Sequence, residues 1–316
     1  MFDFLKLTST NPGQNGQNTT SVEECARGLV KNKSAEQLFK KGLNRVLNNV
    51  NVEQRRSTSG ISSLYKKTLN WKNETMAIYV LIHGAWHTGE LLEAVAKTIR
   101  AKGHTVHCPT VAGNNREDDR TIGLDVAIAS IVTYLEEHNL QDVVLLGHSY
   151  GGMVITGVAD RVPERIHRLI YWNAFVPNGG ECLNDMVPPH YVGLFDSISS
   201  ESSDNSVMLP FPIWREAFIN DGSLEEAEFA YGKLNAHPYA TFTDPILLKT
   251  NPVDMQFGKS FINCTEDTAL PQSFSWHPRL SEKLGLFRLI QVPGSHELCF
   301  TDPTRLAEAI MKAGRD

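Results

Sequence analysis

The chain lacks several features that mark other classes of protein. No apolar run reaches the roughly 18–20 residues that a membrane-spanning helix needs, so we expect no transmembrane segment. The five cysteines are an odd, scattered set without a Cys-x-x-Cys pair, which disfavours a metal cluster or a redox pair. Residues 1–6 show no basic region followed by an apolar one, so we expect no secretory signal. Together these absences predict a protein of a reducing compartment, the cytoplasm.

The chain also lacks an excess of positive charge. Its 30 Lys and Arg stand against 36 Asp and Glu, which gives a net charge of −6. Residues 1–75 hold 12 of the basic and 6 of the acidic residues, so this segment is net +6 and the remainder net −12. An acidic body argues against nucleic acid as a partner. We expect a small-molecule partner instead, and whether the chain forms a homo-oligomer stays open.

The composition changes near residue 76. Residues 1–20 are rich in Asn, Gln, Thr, Ser and Gly, which is typical of disorder. Residues 21–47 are basic and amphipathic and predict one or two helices. We therefore predict that residues 1–75 form an N-terminal extension, partly disordered and with a basic amphipathic helix. Met76 stays open as an alternative start.

From residue 76 the pattern of apolar residues alternates between strands and helices. We predict strands at residues 77–82, 105–108, 143–146, 169–176, 260–264 and 287–292. We predict helices at residues 90–102, 124–137, 152–161, 271–284 and 303–313. Strands that alternate with helices predict a mostly parallel sheet with helices on both faces.

One long excursion interrupts this alternation at residues 178–245. It follows the strand after the 152–161 helix and is rich in Pro, Ser, Asp and aromatic residues, with helical pieces near 213–220 and 224–234. Loops of this length in a compact domain are usually functional. We predict that residues 178–245 form a cap, while residues 76–177 and 246–316 form the core.

A candidate nucleophile lies where a buried strand meets a helix. Residues 143–146 are a short apolar run, and the sequence Gly147-His148-Ser149-Tyr150-Gly151 follows it. This is the G-x-S-x-G elbow, which places a serine on a tight strand-to-helix turn. The pattern alone arises by chance, but here the strand and the helix that it requires are both predicted. We therefore predict Ser149 as the nucleophile.

A serine hydroxyl needs a base and a group that orients the base. In this arrangement the chain order is serine, acid, histidine, each after a strand. His296 follows the last predicted strand, and Asp267 with Glu266 follows the strand before it. We predict Asp267 as the acid, with Glu266 as the alternative, and His296 as the base.

The oxyanion that forms during acyl transfer needs two donors. We expect the main-chain amide of Tyr150, which follows the nucleophile, and that of Ala85, in the loop after the first core strand. His83 and His87 flank this loop at a spacing that suits a metal, but no nearby carboxylate in the sequence supports one. We predict no metal and no cofactor.

These motifs resemble those of a known family. Residues 76–313 resemble α/β-hydrolases of the branch that holds plant methylesterases, hydroxynitrile lyases and bacterial pyrethroid-hydrolase-like esterases. The resemblance rests on the motifs His83-Gly84-Ala85-Trp86-His87, Gly147 to Gly152, Cys264 to Asp267 with Leu270-Pro271, and Gly294-Ser295-His296. It implies an eight-stranded sheet, a catalytic triad of Ser149, Asp267 and His296, and a cap over an apolar pocket.

Two departures from that branch bear on the reaction. The lyases resemble one another in a Thr after the first His of the oxyanion loop and a Lys after the triad His, where this chain has Gly84 and Glu297. Cyanohydrin cleavage is therefore disfavoured. Glu297 either raises the pKa of the neighbouring histidine or faces solvent, and the sequence leaves both open.

Aromatic residues indicate a hydrophobic substrate. We expect the pocket to be lined by Trp86, Tyr191, Phe195, Phe211, Trp214 and Phe218. The sequence thus predicts a serine esterase that cleaves a carboxylic ester with a hydrophobic moiety through an acyl-enzyme. The alternatives are a lactone or carbon–carbon bond hydrolase and a non-catalytic binding protein for small molecules.

Overall fold

The computed structural model describes residues 76–315, so the helix predicted in the N-terminal extension lies outside the described residues. The strands are β1 (Ile78–Ile82), β2 (Thr105–His107), β3 (Val143–His148), β4 (Ile166–Trp172), β5 (Ser206–Val207), β6 (His237–Pro238), β7 (Gly258–Cys264) and β8 (Arg288–Val292). Six of them form one sheet in the order β2-β1-β3-β4-β7-β8, and every adjacent pair runs parallel. Strands β5 and β6 pair antiparallel in a separate ribbon.

The number of strands differs from the expectation. We expected eight strands in the main sheet, and the described residues form six. The figure of eight came from the family resemblance, whereas the apolar runs mark only the six that are seen. Five of those six strands lie within two residues of their predicted bounds. Strand β4, predicted at 169–176, begins three residues earlier, at Ile166, and ends four residues earlier, at Trp172.

The helices are α1 (Glu93–Ala101), α2 (Leu124–Glu137), α3 (Gly151–Arg161), α4 (Pro189–Glu201), α5 (Phe211–Ile213), α6 (Leu224–Tyr231), α7 (Ala240–Thr243), α8 (Leu298–Thr301) and α9 (Pro303–Ala313). Shorter 3₁₀ or π turns lie at Gly89–Leu92, Pro163–Arg165, Leu183–Met186, Trp214–Phe218, Pro252–Asp254, Gln272–Phe274, Trp276–Leu280 and Ser281–Leu284. Among the described residues we find no helix with the length and apolar character needed to cross a bilayer.

The sheet separates two hydrophobic cores. Val143 and Leu145 of β3 join the core that α2 and α3 cover, whereas Val144 and Leu146 join the core that α1 and α9 cover. This division follows from the two-residue period of a strand, which sends alternate side chains to opposite faces. Because both faces are buried, the strand is apolar throughout, and its position at the centre of the sheet holds its carboxyl end rigidly.

The segment between β4 and β7 carries two helices that the sequence analysis missed, α4 and the short α7. Helix α4 spans Pro189–Glu201, in a stretch that we predicted only as a Pro- and Ser-rich excursion. Proline at the first helical position is compatible with a helix because its missing amide hydrogen has no partner there in any case. The helix buries Tyr191 and Phe195, which are four residues apart and therefore lie on one face.

Candidate active site

Ser149 lies on a tight turn between β3 and α3. Its φ of 53° is left-handed, a conformation that residues with a side chain rarely adopt. A Cβ on Gly147 would lie 2.5 Å from the carbonyl oxygen of Gly151, so the turn closes only because a glycine stands there. The amides that follow belong to the first turn of α3, where the helix dipole favours negative charge. The backbone thus has the elbow form that the G-x-S-x-G pattern predicts.

The predicted acid and base meet at the carboxyl ends of two neighbouring strands. Asp267 follows β7, His296 follows β8, and these strands pair up to Cys264 and Val292. His296 Nδ1 donates to Asp267 Oδ2 at 2.6 Å, and both side chains are buried. Asp267 also accepts from the side-chain amide of Asn173 and from the main-chain N–H of Ala269, 2.8 Å away. These donors hold the carboxylate so that one oxygen faces the imidazole.

The charges around His296 favour its protonated form. Burial by itself would lower the pKa of His296, but the Asp267 carboxylate, and to a lesser degree Glu297, raise it above the ordinary value. Aromatic rings enclose the imidazole as well. Trp276 stacks on it with ring centroids 5.1 Å apart, and Phe218 presents an edge at 5.3 Å. A ring held on several sides stays in one orientation toward Asp267.

The alternative acid, Glu266, lies elsewhere. It is exposed, and its main chain is fixed by its own N–H to the Gly294 carbonyl at 3.1 Å and by the Asn220 side chain to its carbonyl at 2.9 Å. Only Asp267 of the two adjacent carboxylates is hydrogen-bonded to His296. The geometry therefore favours Asp267.

The cavity at Ser149 is apolar. Its lining includes the nucleophile candidate, both predicted oxyanion residues Ala85 and Tyr150, and four of the predicted pocket residues. Those four are Trp86, Tyr191, Phe195 and Phe218. The remaining residues are Phe175, Leu183, Val187, Phe242, Ala269, Leu270 and Trp276. Among the described residues that line it, none carries a charge.

Two predicted pocket residues lie behind the cavity wall. Trp214 is fully buried and stacks on Phe218 with centroids 5.8 Å apart, so Phe218 separates it from the cavity. Phe211 packs against Tyr231 at 5.2 Å. Both were selected because they are aromatic and lie in the cap segment. Composition does not reveal which face of a short helical turn points inward.

Sequence reasoning also missed several residues that line the cavity. Leu270 follows Asp267 by three residues, so it comes just after a strand end that the sequence analysis had placed at the site. Its position after that strand was the available signal. Phe175 follows β4 in the structure, but the sequence analysis had placed it inside the strand predicted at 169–176. No such signal marked Trp276 and Phe242, because both reach the cavity from short turns whose conformation the sequence does not predict.

Both ring nitrogens of His83, the first histidine of the oxyanion loop, are hydrogen-bonded to main-chain atoms. His83 Nε2 accepts from the Val111 N–H at 3.0 Å, and its Nδ1 donates to the Gly84 carbonyl at 2.8 Å. Burial lowers the pKa of His83 to about 4, so the ring is neutral. Both nitrogens are occupied, and His83 therefore holds the loop against the chain that follows β2.

Comparison with known proteins agrees with this architecture. The family model described as alpha/beta hydrolase family matches residues 79–309. The chain belongs to the α/β-hydrolase family. Its fold is the α/β-hydrolase fold, as the resemblance in the sequence predicted.

Named relatives of this α/β hydrolase include several esterases. It is 30% identical to the carbendazim hydrolyzing esterase of Nocardioides sp. (strain SG-4G) over 250 residues, which cover 76% of this chain and all of the relative. It is 25% identical to the pyrethroid hydrolase of Sphingobium wenxiniae over 75% of this chain and 87% of the relative. These relatives confirm the prediction of a carboxylic ester hydrolase.

A solved structure is also similar. It is an extracellular alpha/beta-hydrolase from a Paenibacillus species, described as sharing structural and functional homology with tobacco Salicylic Acid Binding Protein 2. Its TM-score is 0.74 and its identity 36%, over 76% of this chain and all of that one. Because that protein is extracellular, the cytoplasmic location of this hydrolase stays a prediction.

Proposed function

We propose that this hydrolase is a serine esterase in which Ser149, His296 and Asp267 form the catalytic triad. The observation that carries the proposal is the buried 2.6 Å hydrogen bond between His296 and Asp267. It lies at the carboxyl ends of β7 and β8, the same edge of the parallel sheet as the Ser149 elbow. A buried carboxylate that holds an imidazole in one tautomer is the arrangement that activates a serine. The raised pKa of His296 suits a residue that accepts a proton during the reaction.

The reaction proceeds in two halves. The Ser149 hydroxyl oxygen forms a bond to the ester carbonyl carbon while His296 Nε2 takes the hydroxyl proton. The main-chain amides of Ala85 and Tyr150 stabilise the negative oxygen. The carbon–oxygen bond to the alcohol then breaks, and His296 returns the proton to the leaving alkoxide. Water then attacks the carbonyl carbon of the acyl-enzyme while His296 takes a proton from it. The bond from that carbon to the Ser149 oxygen breaks, and His296 returns the proton to Ser149, which leaves the free acid.

The cavity supports a substrate without charge and with a hydrophobic moiety. Its aromatic and aliphatic walls would leave a charged group near the reacting carbonyl without a partner, which is costly when buried. Residues 178–245 supply Leu183, Val187, Tyr191, Phe195, Phe218 and Phe242 to the lining. We therefore propose this segment as a cap that decides which esters enter.

Replacement of Ser149 by Ala tests the mechanism. Turnover of p-nitrophenyl esters and labelling by a fluorophosphonate should both disappear, because the only atom that forms the acyl-enzyme is removed, while the circular dichroism spectrum stays unchanged. Ser200→Ala, at an exposed serine of α4, is the matched control and should keep full activity. Full turnover in the Ser149 variant would refute the mechanism.

A panel of esters separates the function from its alternatives. The acyl and alcohol sides are varied independently, with lactones and bulky polycyclic esters included, and kcat/KM is measured for each. Hydrophobic open-chain esters should be the preferred substrates. A preference for lactones favours the first alternative. A folded protein that turns over none of the panel yet binds an apolar ligand tightly would instead be a binding protein.

A further inference from the structure

A buried acid–histidine pair, Glu297 and His87, lies beside the proposed triad, and His87 has no part in the mechanism above. Glu297 directly follows His296, and only 1% of its side chain is exposed. Its Oε2 lies 2.9 Å from Nε2 of His87, whose side chain is 2% exposed. The sequence left open whether Glu297 raises the pKa of the triad His or faces solvent. The structure excludes solvent and gives the carboxylate a specific partner in the oxyanion loop.

The other nitrogen of His87 determines where a proton must lie. His87 Nδ1 is 2.6 Å from the main-chain carbonyl oxygen of Ala85. A carbonyl only accepts, so Nδ1 carries a hydrogen and donates it to Ala85. One further proton lies between His87 Nε2 and Glu297, on either atom. His87 is therefore hydrogen-bonded at both ends, to the loop that carries the Ala85 amide and to the loop that carries His296.

The oxyanion loop needs such support because its backbone is strained. Trp86, between Ala85 and His87, has a φ of 66°, and a bulky side chain rarely occupies this left-handed region. Such conformations persist only where the surroundings determine them. Here the Trp86 carbonyl accepts from the Asn235 N–H at 2.8 Å, and the Ala85 carbonyl accepts from His87.

Glu297 is itself rigidly held. Its main-chain N–H donates to Oγ of the buried Ser295 at 3.1 Å, and the Ser295 N–H donates to Asp221 at 2.9 Å. Cys299 Sγ lies 3.8 Å from the carboxylate. The side chains of His87, Glu297 and Cys299 are close enough to one another to hold a metal ion. The hydrogen bonds of both His87 nitrogens already account for the arrangement, so we assign it as a hydrogen-bonded pair.

We propose that Glu297 and His87 are positioning residues that fix the Ala85 amide where the oxyanion forms. Glu297 orients His87, and His87 holds the Ala85 carbonyl. The carbonyl and the amide of Ala85 are joined through its Cα, so a fixed carbonyl restrains the direction of the amide. The pair thus ties the oxyanion loop to the loop that carries the triad histidine. The inference rests on the proposed function, since an oxyanion donor has a role only if Ser149 attacks a carbonyl.

Two substitutions of Glu297 test the proposal in the full chain. Glu297→Met fills a similar volume but cannot hydrogen-bond to His87, so kcat should fall about tenfold, part of the loss seen when an oxyanion donor is removed outright. Glu297→Gln is the matched control. Its amide can donate to Nε2 while Nδ1 keeps its hydrogen for Ala85, so kcat should stay close to that of the unaltered protein. KM should change little in either variant.

Inhibitors distinguish positioning from a general structural role. A trifluoromethyl ketone forms a tetrahedral oxyanion with the serine, whereas the matching methyl ketone occupies the cavity without one. Glu297→Met should weaken the first about tenfold and leave the second unchanged, because only the first depends on the oxyanion amides. Equal weakening of both ligands, or an unchanged kcat in a folded Glu297→Met protein, overturns the proposal.

A measurement on the unaltered protein covers the case in which Glu297→Met does not fold. In ¹⁵N-histidine spectra, His87, assigned by its absence in His87→Asn, should show a protonated Nδ1. An unprotonated Nδ1 overturns the proposal. Failure of the proposed function is a different result: the unaltered protein would hydrolyse no ester, or Ser149→Ala would remain active, whatever the state of His87.

Discussion

At the scale of single residues, Gly84 is explained by packing against His148. A Cβ on Gly84 would lie 2.9 Å from His148 Nδ1 and 3.2 Å from Ser149 Cβ. His148 cannot withdraw, because its ring stacks on Trp172 at 3.8 Å and its Nε2 donates to the His296 carbonyl at 3.0 Å. The departure from the lyases of the branch is therefore a steric requirement of this chain. His148, which lies between Gly147 and Ser149, therefore leaves room only for a glycine at position 84 of the oxyanion loop.

Substitution of Asp267 tests the acid of the proposed triad. Asp267→Asn should lower kcat about 10⁴-fold, as a triad whose histidine is held in the wrong tautomer does. The acid limb of the kcat/KM profile should also move to lower pH. His296 must be neutral to act as a base, so activity is lost as pH falls through its pKa, which the carboxylate raises. Without that charge, burial leaves the pKa lower.

Glu266→Gln is the matched control for this substitution, because Glu266 is the adjacent carboxylate and is exposed. It should keep the activity and the pH profile of the unaltered protein. If Glu266→Gln is the crippling change and Asp267→Asn is tolerated, the assignment of the acid is wrong.

At the scale of elements, α4 supplies two aromatic rings to the cavity. Tyr191 and Phe195 stack with centroids 5.6 Å apart, and Phe195 also meets Trp86 at 6.3 Å and Phe242 at 5.4 Å. The cap segment is thus joined to the oxyanion loop through Trp86. Its aromatic composition indicated an apolar pocket, but not which rings take part.

Phe195→Leu should widen the cavity where α4 closes it. We expect kcat/KM to rise for esters with a bulkier hydrophobic moiety and to change little for p-nitrophenyl acetate, which does not reach that wall. Stability should fall, by less than the roughly 3–5 kcal/mol of a change to Ala. Phe229→Leu on α6 is the control, since Phe229 is 65% exposed. An unaltered specificity in Phe195→Leu would contradict the cap proposal.

At the scale of the whole molecule, residues 76–316 form one compact unit with cores on both faces of the sheet. Most strands and the helices α2 and α9 lie at or within a residue or two of their predicted bounds. In these elements the apolar residues recur at a regular spacing, and a specific residue marks where the element begins or ends. Helix α9, for example, begins at Pro303 after Asp302, which accepts from the Arg305 N–H.

The helix predicted at residues 271–284 is wrong. Residues 272–284 form short turns in its place, because Pro278 interrupts the hydrogen bonding that a helix needs.

Because they form one compact unit, residues 76–316 expressed alone should fold and hydrolyse esters. Because every residue of the proposed site lies within this unit, kcat/KM and the midpoint of thermal unfolding should equal those of the full chain. The comparison uses the same ester and buffer for both proteins. An insoluble product, or a folded one without activity, would show that residues 1–75 take part in the catalytic unit.

The class of fold, the elbow at Ser149 and the proposed order of serine, acid and histidine could all be predicted from the sequence. Each of these depends on local periodicity or on chain order at strand ends. Three features became known only from the folded chain: which carboxylate faces His296, which aromatic rings line the cavity, and the contact of Glu297 with His87 across 210 residues of chain. Such contacts depend on how distant segments pack, and a pattern within one segment carries no information about them.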